Sequence, residues 1–103
     1  MGAREFFEAL PGRVDPERIA GVDAGYLFDV AGEGRWLVVV RDGTVAVTEN
    51  PTAGADVTFS LSGETFTKLV AGRQNPMVAY MTGTLKISGD IGVAMALQKL
   101  FPS

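Results

Sequence analysis

Alternating apolar and polar side chains predict β-strands in the middle of the chain. The alternation is clear at residues 26–30 and 57–61, as expected for strands with one buried face. Residues 35–41 are apolar on both faces, which is typical of an interior strand. Asp42-Gly43 predicts a two-residue hairpin that sets the strand register. The predicted pairs are Arg41 with Thr44, Val40 with Val45, Val38 with Val47 and Trp36 with Glu49.

Apolar residues three and four positions apart predict helices on both sides of these strands. The first helix covers residues 3–10 and ends at Pro11-Gly12, and a short helical segment begins at Asp15. After the fourth strand, Ser62 is the predicted N-cap of a helix over 63–72. Asn75, followed by Pro76, begins the next helix.

A fifth strand at 84–88 and a closing helix complete the predicted elements. The strand points Leu85 and Ile87 inward and Lys86 outward, and Asp90 caps the helix that follows. The order helix, four strands, two helices, strand, helix predicts an α+β fold with helices on one face of a five-stranded, mainly antiparallel sheet. Because short turns join the first four strands, we expect these to be largely antiparallel. The 103 residues predict a single domain, 1–103.

The charge balance narrows the choice of partners and location. Nine basic and twelve acidic residues give a net charge of −3, which disfavours a nucleic-acid partner. Acidic residues interrupt the N-terminal MGAREFFEAL where a signal peptide would be continuously apolar, and no run approaches the ~18 apolar residues of a membrane span. With no cysteine, the chain suits a reducing compartment, and we expect it to be cytoplasmic.

The residues that usually carry catalysis are scarce. The chain has no histidine, which removes the commonest general base and metal ligand. Asp29, Asp42, Asp56 and Asp90 fall singly at positions where turns, strand edges and caps use aspartate. The glycines match neither GxGxxG nor GxxxxGK[ST]. We therefore expect no catalytic residue, no metal site, no cofactor and no enzymatic activity.

The closing segment is unusually apolar. In residues 91–101, IGVAMALQKLF, only Gln98 and Lys99 have polar side chains. These apolar side chains either complete the core or close a space for an apolar guest between sheet and helices. Three methionines nearby, at positions 77, 81 and 95, provide an adaptable surface that suits variable ligands.

Three segments in order resemble the sterol carrier protein 2 domain family, also called non-specific lipid-transfer protein. They are GRWLVVVRDGTVAV, GADVTFSLSGETFTKLVAGRQNP and AYMTGTLKISGDIGVAMALQKL. The most distinctive parts are the Gly72-x-x-Asn75-Pro76 corner, the strand from Gly83 to Gly89 and the helix that follows. The resemblance implies a mainly antiparallel five-stranded sheet with helices over one face. It also implies an apolar tunnel for fatty acids, acyl-CoA, phospholipids or sterols, closed by the C-terminal helix.

The resemblance also implies which side chains line the tunnel, and we expect all of them to point inward. They are Phe59, Leu61, Phe66, Leu69, Met77, Met81, Leu85, Ile87, Ile91, Met95 and Leu97.

The leading functional hypothesis is non-enzymatic binding and carriage of lipids, with transient membrane contact. One alternative is a module that docks on a partner protein or forms a homodimer through the apolar C-terminal helix. Another is a lipid-binding accessory factor of a biosynthetic complex.

Overall fold

Helices lie against one face of a five-stranded sheet in the computed structural model, which describes residues 3–52 and 54–95. The elements are α1 (Ala3–Arg13), β1 (Ala24–Ala31), β2 (Gly34–Arg41), β3 (Thr44–Glu49), β4 (Val57–Ser62), α2 (Gly63–Val70), α3 (Pro76–Thr82), β5 (Leu85–Gly89) and the described part of α4 (Ile91–Met95). The α+β class and the order of strands and main helices confirm the prediction.

The strands lie in the order β3-β2-β1-β4-β5, so β2 is an interior strand as predicted. The β2–β3 hairpin has the predicted register, from Arg41 opposite Thr44 to Trp36 opposite Glu49. Antiparallel pairing also joins β1 to β2 and β4 to β5. The pairing of β4 with β1 is parallel, however, so the sheet is mainly but not wholly antiparallel, and this one pairing departs from the expected arrangement of the first four strands.

Strand β4 could pair with either β1 or the edge strand β3, and a difference in packing explains why it pairs with β1. Beside β1, the apolar face of β4 extends a buried row, and the rings of Phe28 and Phe59 stack with centroids 5.2 Å apart. Beside the edge strand β3, the same side chains would adjoin a strand whose residues are all at least partly exposed. Burial of apolar area therefore favours the pairing of β4 with β1 over its pairing with β3.

Ala55 and Asp56, just before β4, lie beside Gly25 of β1 on the sheet face opposite the helices. The Gly25 N–H donates to Asp56 Oδ2 at 2.7 Å, and the Asp56 N–H donates to the Gly25 carbonyl at 3.0 Å. A Cβ on Gly25 would lie 3.7 Å from Leu37 Cδ1 and 3.8 Å from the Cα of Ala55. Leu27 and Leu37 are also buried on this outer face, outside the main core cluster.

The main core lies between the helices and the inner face of the sheet. Phe7 of α1 stacks on Trp36 of β2 with centroids 4.9 Å apart and contacts Phe66 of α2 at 5.3 Å. The Glu33 carboxylate, in the β1–β2 turn, accepts a hydrogen bond of 2.9 Å from the Ala3 N–H at the start of α1. These contacts fix α1 over β2 and β3 and leave the surface over β4 and β5 to α3 and α4.

Several element boundaries differ from the predictions. Helix α1 continues through Pro11 to Arg13, because proline removes one hydrogen bond but keeps a helical φ while Phe7 and Leu10 remain buried. The segment that begins at Asp15 forms turns instead of a helix, with i to i+3 hydrogen bonds such as Arg18 N–H to Asp15 O. So short a helix is costly to nucleate. Strand β5 lies one residue later than predicted, and α2 ends two residues earlier, at Val70.

Candidate functional site

Strands β4 and β5 form the floor of the candidate site. Their antiparallel pairing sets Phe59 opposite Ile87 and Leu61 opposite Leu85. Because side chains alternate along a strand, all four lie on the helix-facing side. Phe59, Leu61 and Leu85 are buried and Ile87 is partly buried. The result is a two-by-two apolar surface beneath α3 and α4.

Helix α3 is fixed at both ends. The Asn75 side chain accepts a hydrogen bond of 2.8 Å from the Met77 N–H, and Gly83 ends the helix in the left-handed conformation at φ 85°. Ala79 is fully buried, and its small side chain lets α3 approach β5 closely. This arrangement places three α3 side chains beside the floor: Pro76, Met77 and Tyr80.

Helix α4 is anchored where it begins. The Asp90 N–H donates to the Asp56 carbonyl at 3.2 Å, and Asp90 Oδ1 accepts from the Val93 N–H at 3.2 Å. Residues three and four positions apart share one side of a helix. Ile91, Ala94 and Met95 accordingly face the floor together.

Two adjoining apolar pockets lie between the floor and the helices. The outer pocket is lined by Phe59, Pro76, Met77, Tyr80, Leu85, Ile87, Ile91, Ala94 and Met95. The inner pocket is lined by Phe28, Phe59, Leu61, Phe66, Leu69, Pro76 and Leu85. The two pockets share Phe59, Pro76 and Leu85, so their linings form one continuous apolar surface along the sheet. None of these lining side chains is charged, and the Tyr80 hydroxyl is their one polar group.

The pockets are small, but the wall of the outer pocket is accessible. The outer pocket encloses about 50 Å³ and the inner pocket about 10 Å³, whereas sites for small organic ligands usually enclose roughly 300–1,000 Å³. Met77, Tyr80, Ile91 and Met95 are each 40–47% exposed. The solvent-facing opening of the outer pocket thus lies between α3 and α4, and a long apolar guest requires these helices to move away from the floor.

The structure brings most of the predicted lining residues together. Phe59 and Leu85 line both pockets. Four predicted residues line only the outer pocket: Met77, Ile87, Ile91 and Met95. Three line only the inner pocket: Leu61, Phe66 and Leu69. Leu97 lies outside the described residues.

Met81 does not have the expected inward orientation. Its side chain is 80% exposed and lines neither pocket. The reason is helical geometry, since residues two apart lie about 200° apart around the axis, and Ala79 is the α3 residue that packs on the sheet. The side chain of Met81 therefore points away from the floor.

Other lining residues were absent from the predicted set. Tyr80 lies three residues after Met77 and so shares its predicted helix face. The helical spacing could therefore have identified it as a lining residue. The alternation along β1 places Phe28 on the same face of the sheet as Phe59. Its position in the lining can be predicted only once β1 and β4 are known to be neighbours. The sequence does not mark Pro76 or Ala94 as a lining residue. Proline is common at the first position of a helix, and alanine is common inside one.

Near the site, the pKa of the Tyr26 side chain in β1 is shifted. Burial, and secondarily the negative charge of Asp56, raises the pKa of this phenol above its ordinary value of 10.0. The hydroxyl is therefore protonated at neutral pH. Its ring stacks on Phe59, with centroids 6.3 Å apart.

The described residues contain neither a metal-ligand cluster nor a membrane-spanning helix. Within residues 3–52 and 54–95, the structure brings together no cluster of three acidic, histidine or cysteine residues able to hold a metal ion. Of the helices in these same ranges, none combines the length and apolar character needed to cross a membrane.

The family comparison covers almost the whole chain. A family model described as the SCP-2 sterol transfer family matches residues 6–102. The solution structure of the sterol carrier protein domain 2 of Helicoverpa armigera superposes with a TM-score of 0.74 at 32% sequence identity. That match covers 94% of this chain and 80% of the other.

Two similar proteins are much longer than this chain. Hydroxysteroid dehydrogenase-like protein 2 of Danio rerio is 35% identical over 99 residues, which are 93% of this chain and 24% of that protein. Sterol carrier protein 2 of Homo sapiens is 37% identical over 86 residues, which are 82% of this chain and 16% of that protein. The chain spans about a quarter or less of the length of these relatives.

Proposed function

This chain belongs to the SCP-2 sterol transfer family, and from that premise we propose that it binds and carries lipids between its sheet and its helices without converting them chemically. The observation that carries the proposal is the continuous, uncharged lining of the outer and inner pockets. Burial of an acyl chain against such a surface contributes roughly 0.8 kcal/mol per CH₂ and requires no specific polar contact. We therefore expect the site to bind lipids with many different types of acyl chain.

We propose that the helices over the floor open to admit the lipid. Helix α3 has seven residues, and Ala79 is its one buried side chain. Met77 and Met95 on either side of the opening have flexible side chains that adapt to guests of different shape. Opening between α3 and α4 enlarges the pockets while the sheet stays in place.

We also propose that the C-terminal helix closes the site. Ile91, Ala94 and Met95 already form one wall of the outer pocket. Leu97, which follows in the sequence, is proposed to extend that wall. Under this proposal, the apolar residues 91–101 cover the bound lipid, which explains why so few of them are polar.

A direct binding measurement tests the carrier function. The purified chain is titrated with a fluorescent fatty acid, and an unlabelled lipid is then added to displace it. We expect saturable binding with about one lipid per chain and full displacement by the competitor. Fluorescence that rises without saturation, or that no lipid displaces, contradicts the proposed function.

A second candidate function is docking on a partner protein or on a second copy of the chain. Six exposed large apolar side chains occupy α3 and α4 in the described part of the chain, and exposed apolar patches often mark interfaces. Val78 and Met81 belong to this patch but line neither pocket. Replacing both, as Val78→Ser with Met81→Gln, is expected to abolish self-association in light scattering if docking is the function, while leaving lipid affinity unchanged.

A further inference from the structure

Tyr26 lies one aromatic ring beyond the pockets. It pairs with Val57 of β4, and its ring stacks on Phe59, which lines both the outer and the inner pocket. Side chains stand roughly perpendicular to a sheet, so the Tyr26 hydroxyl is carried away from the strands toward the helical layer. The residue is 0% exposed. Its hydroxyl therefore lies inside the apolar layer in which the pockets are found.

This hydroxyl has no partner within the described part of the chain. Among the described residues, it is the buried side-chain oxygen or nitrogen atom that makes no hydrogen bond. The large majority of such atoms in native proteins are paired, because an unpaired buried polar group loses its hydrogen bonds to water without replacement. A tyrosine in a purely structural core position is replaceable by phenylalanine without this cost. The missing partner of the hydroxyl is therefore either a buried water or a group on another molecule.

The electrostatic surroundings of the Tyr26 hydroxyl restrict which chemical group of a ligand can contact it. Burial and the nearby Asp56 carboxylate disfavour a negative charge on Tyr26 itself, and they disfavour a ligand carboxylate at the same place for the same reasons. Asp56 is held in position by the hydrogen bond from the Gly25 N–H. The protonated phenol both donates and accepts, so an uncharged hydroxyl or carbonyl oxygen is a suitable partner.

We propose that the Tyr26 hydroxyl hydrogen-bonds an uncharged oxygen, a hydroxyl or a carbonyl, at the buried end of the lipid, whose apolar body packs along Phe59 and the pocket walls. This inference rests on the proposed carrier function and makes it more specific. Tyr26 then selects the polar end of the ligand, while the pockets accept the chain with little discrimination.

The test uses ligands that differ only in the end group and variants that differ only in a hydroxyl. Affinities for 1-decanol, decane and decanoate are measured by displacement of a fluorescent fatty acid from the wild-type chain, Tyr26→Phe and Tyr80→Phe. Tyr80, the other of the two tyrosines, is a matched control because its side chain lines the outer pocket but is accessible to water. Wild type is expected to prefer decanol to both decane and decanoate.

Tyr26→Phe is expected to weaken decanol binding about two- to tenfold, the effect of one net hydrogen bond, and to leave decane binding unchanged. Tyr80→Phe changes the wall of the outer pocket, so it is expected to shift the affinities for decanol and decane together and to keep their ratio at the wild-type value. An equal decanol-to-decane ratio in wild type and Tyr26→Phe overturns the proposal and assigns the hydroxyl to a buried water. If wild type binds none of the ligands, including the fluorescent fatty acid, the carrier function itself fails. Tighter binding of decanoate than of decanol overturns only the choice of an uncharged oxygen.

A second measurement does not depend on the folding of a variant. With tyrosine labelled at Cζ, the wild-type chain gives two ¹³C signals, which Tyr80→Phe assigns. The Tyr26 signal is expected to shift when decanol binds and to shift much less when decane binds. Identical shifts with both ligands overturn the hydrogen bond.

Discussion

Gly89 passes so close to Asp56 that no side chain fits between them. A Cβ on Gly89, which has φ 117°, would lie 2.5 Å from the Asp56 carbonyl oxygen. The same carbonyl accepts the hydrogen bond from the Asp90 N–H that anchors the start of α4. The end of β5 and the start of α4 are thus fixed against β4 by one close approach.

Gly89→Ala is therefore expected to destabilise the protein more than a matched glycine substitution. Gly72 also has a positive φ, 73°, but a Cβ there has nothing within 4 Å. Both substitutions carry the strain of a side chain at positive φ, about 1–2 kcal/mol, and Gly89→Ala adds overlap worth about 1–3 kcal/mol more. Urea denaturation of both variants measures the difference. Equal losses in the two variants would show that the close approach does not matter.

Met77 and Met81 provide a matched pair for testing the pocket. Both are on α3, but Met77 lines the outer pocket and Met81 points into solvent. Met77→Gln places an amide in the apolar wall at nearly constant shape and helix propensity, and we expect lipid affinity to fall about two- to tenfold. Met81→Gln is expected to leave affinity unchanged. Fluorescent fatty-acid titration of both variants gives the comparison, and equal affinities would argue against the outer pocket as the site.

Removal of residues 91–103 tests closure by the C-terminal helix. The shortened chain keeps the Asp90 N–H bond to Asp56 and loses, among the described residues, one buried side chain, that of Ala94. We expect a folded protein whose lipid dissociates faster than from the full chain. Urea denaturation and lipid displacement are measured on the same sample. Unchanged lipid retention contradicts closure, and a chain that does not fold shows that the helix is part of the core.

The raised pKa of Tyr26 predicts a loss of stability at alkaline pH. The phenol ionises near 10.0 in the unfolded chain and at higher pH in the folded one, so above pH 10.0 the unfolded state loses its proton first and is favoured. The contribution is fully present below the unfolded pKa and is lost as the pH rises through the folded pKa. Urea denaturation at about pH 8 and about pH 11 should show a larger decrease for wild type than for Tyr26→Phe. An equal decrease in the free energy of unfolding of both proteins would contradict the raised pKa of Tyr26.

The hydrophobic pattern predicted most of the fold because its signals were local. Alternation and the Asp42-Gly43 turn defined the hairpin to the residue, and Ser62 and Asn75 cap α2 and α3 as predicted. The parallel pairing of β4 with β1 was missed because it depends on which distant strand offers the better apolar neighbour. That choice is made by packing such as the Phe28–Phe59 stack, which no local pattern encodes.

The candidate site was predictable to a similar degree. Residues on strands follow strict alternation, so the inward side of Phe59 and Leu85 was readily predicted. A helix of seven residues such as α3 gives a weaker signal, because its buried side depends on the small Ala79 and not on its largest apolar side chains. Met81 was misplaced for this reason. The unpaired hydroxyl of Tyr26 became visible only with the packing around it.

The most direct test of the central claim is methyl NMR of the chain during titration with a long-chain alcohol. Ile87, Ile91 and Met95 line the outer pocket, whereas Leu27 and Leu37 are buried on the opposite face of the sheet and act as internal controls. A lipid bound between sheet and helices predicts saturable shifts of the three pocket methyl groups and unchanged signals from Leu27 and Leu37. No saturable shift at the pocket, or larger shifts at Leu27 and Leu37, would contradict the proposed site.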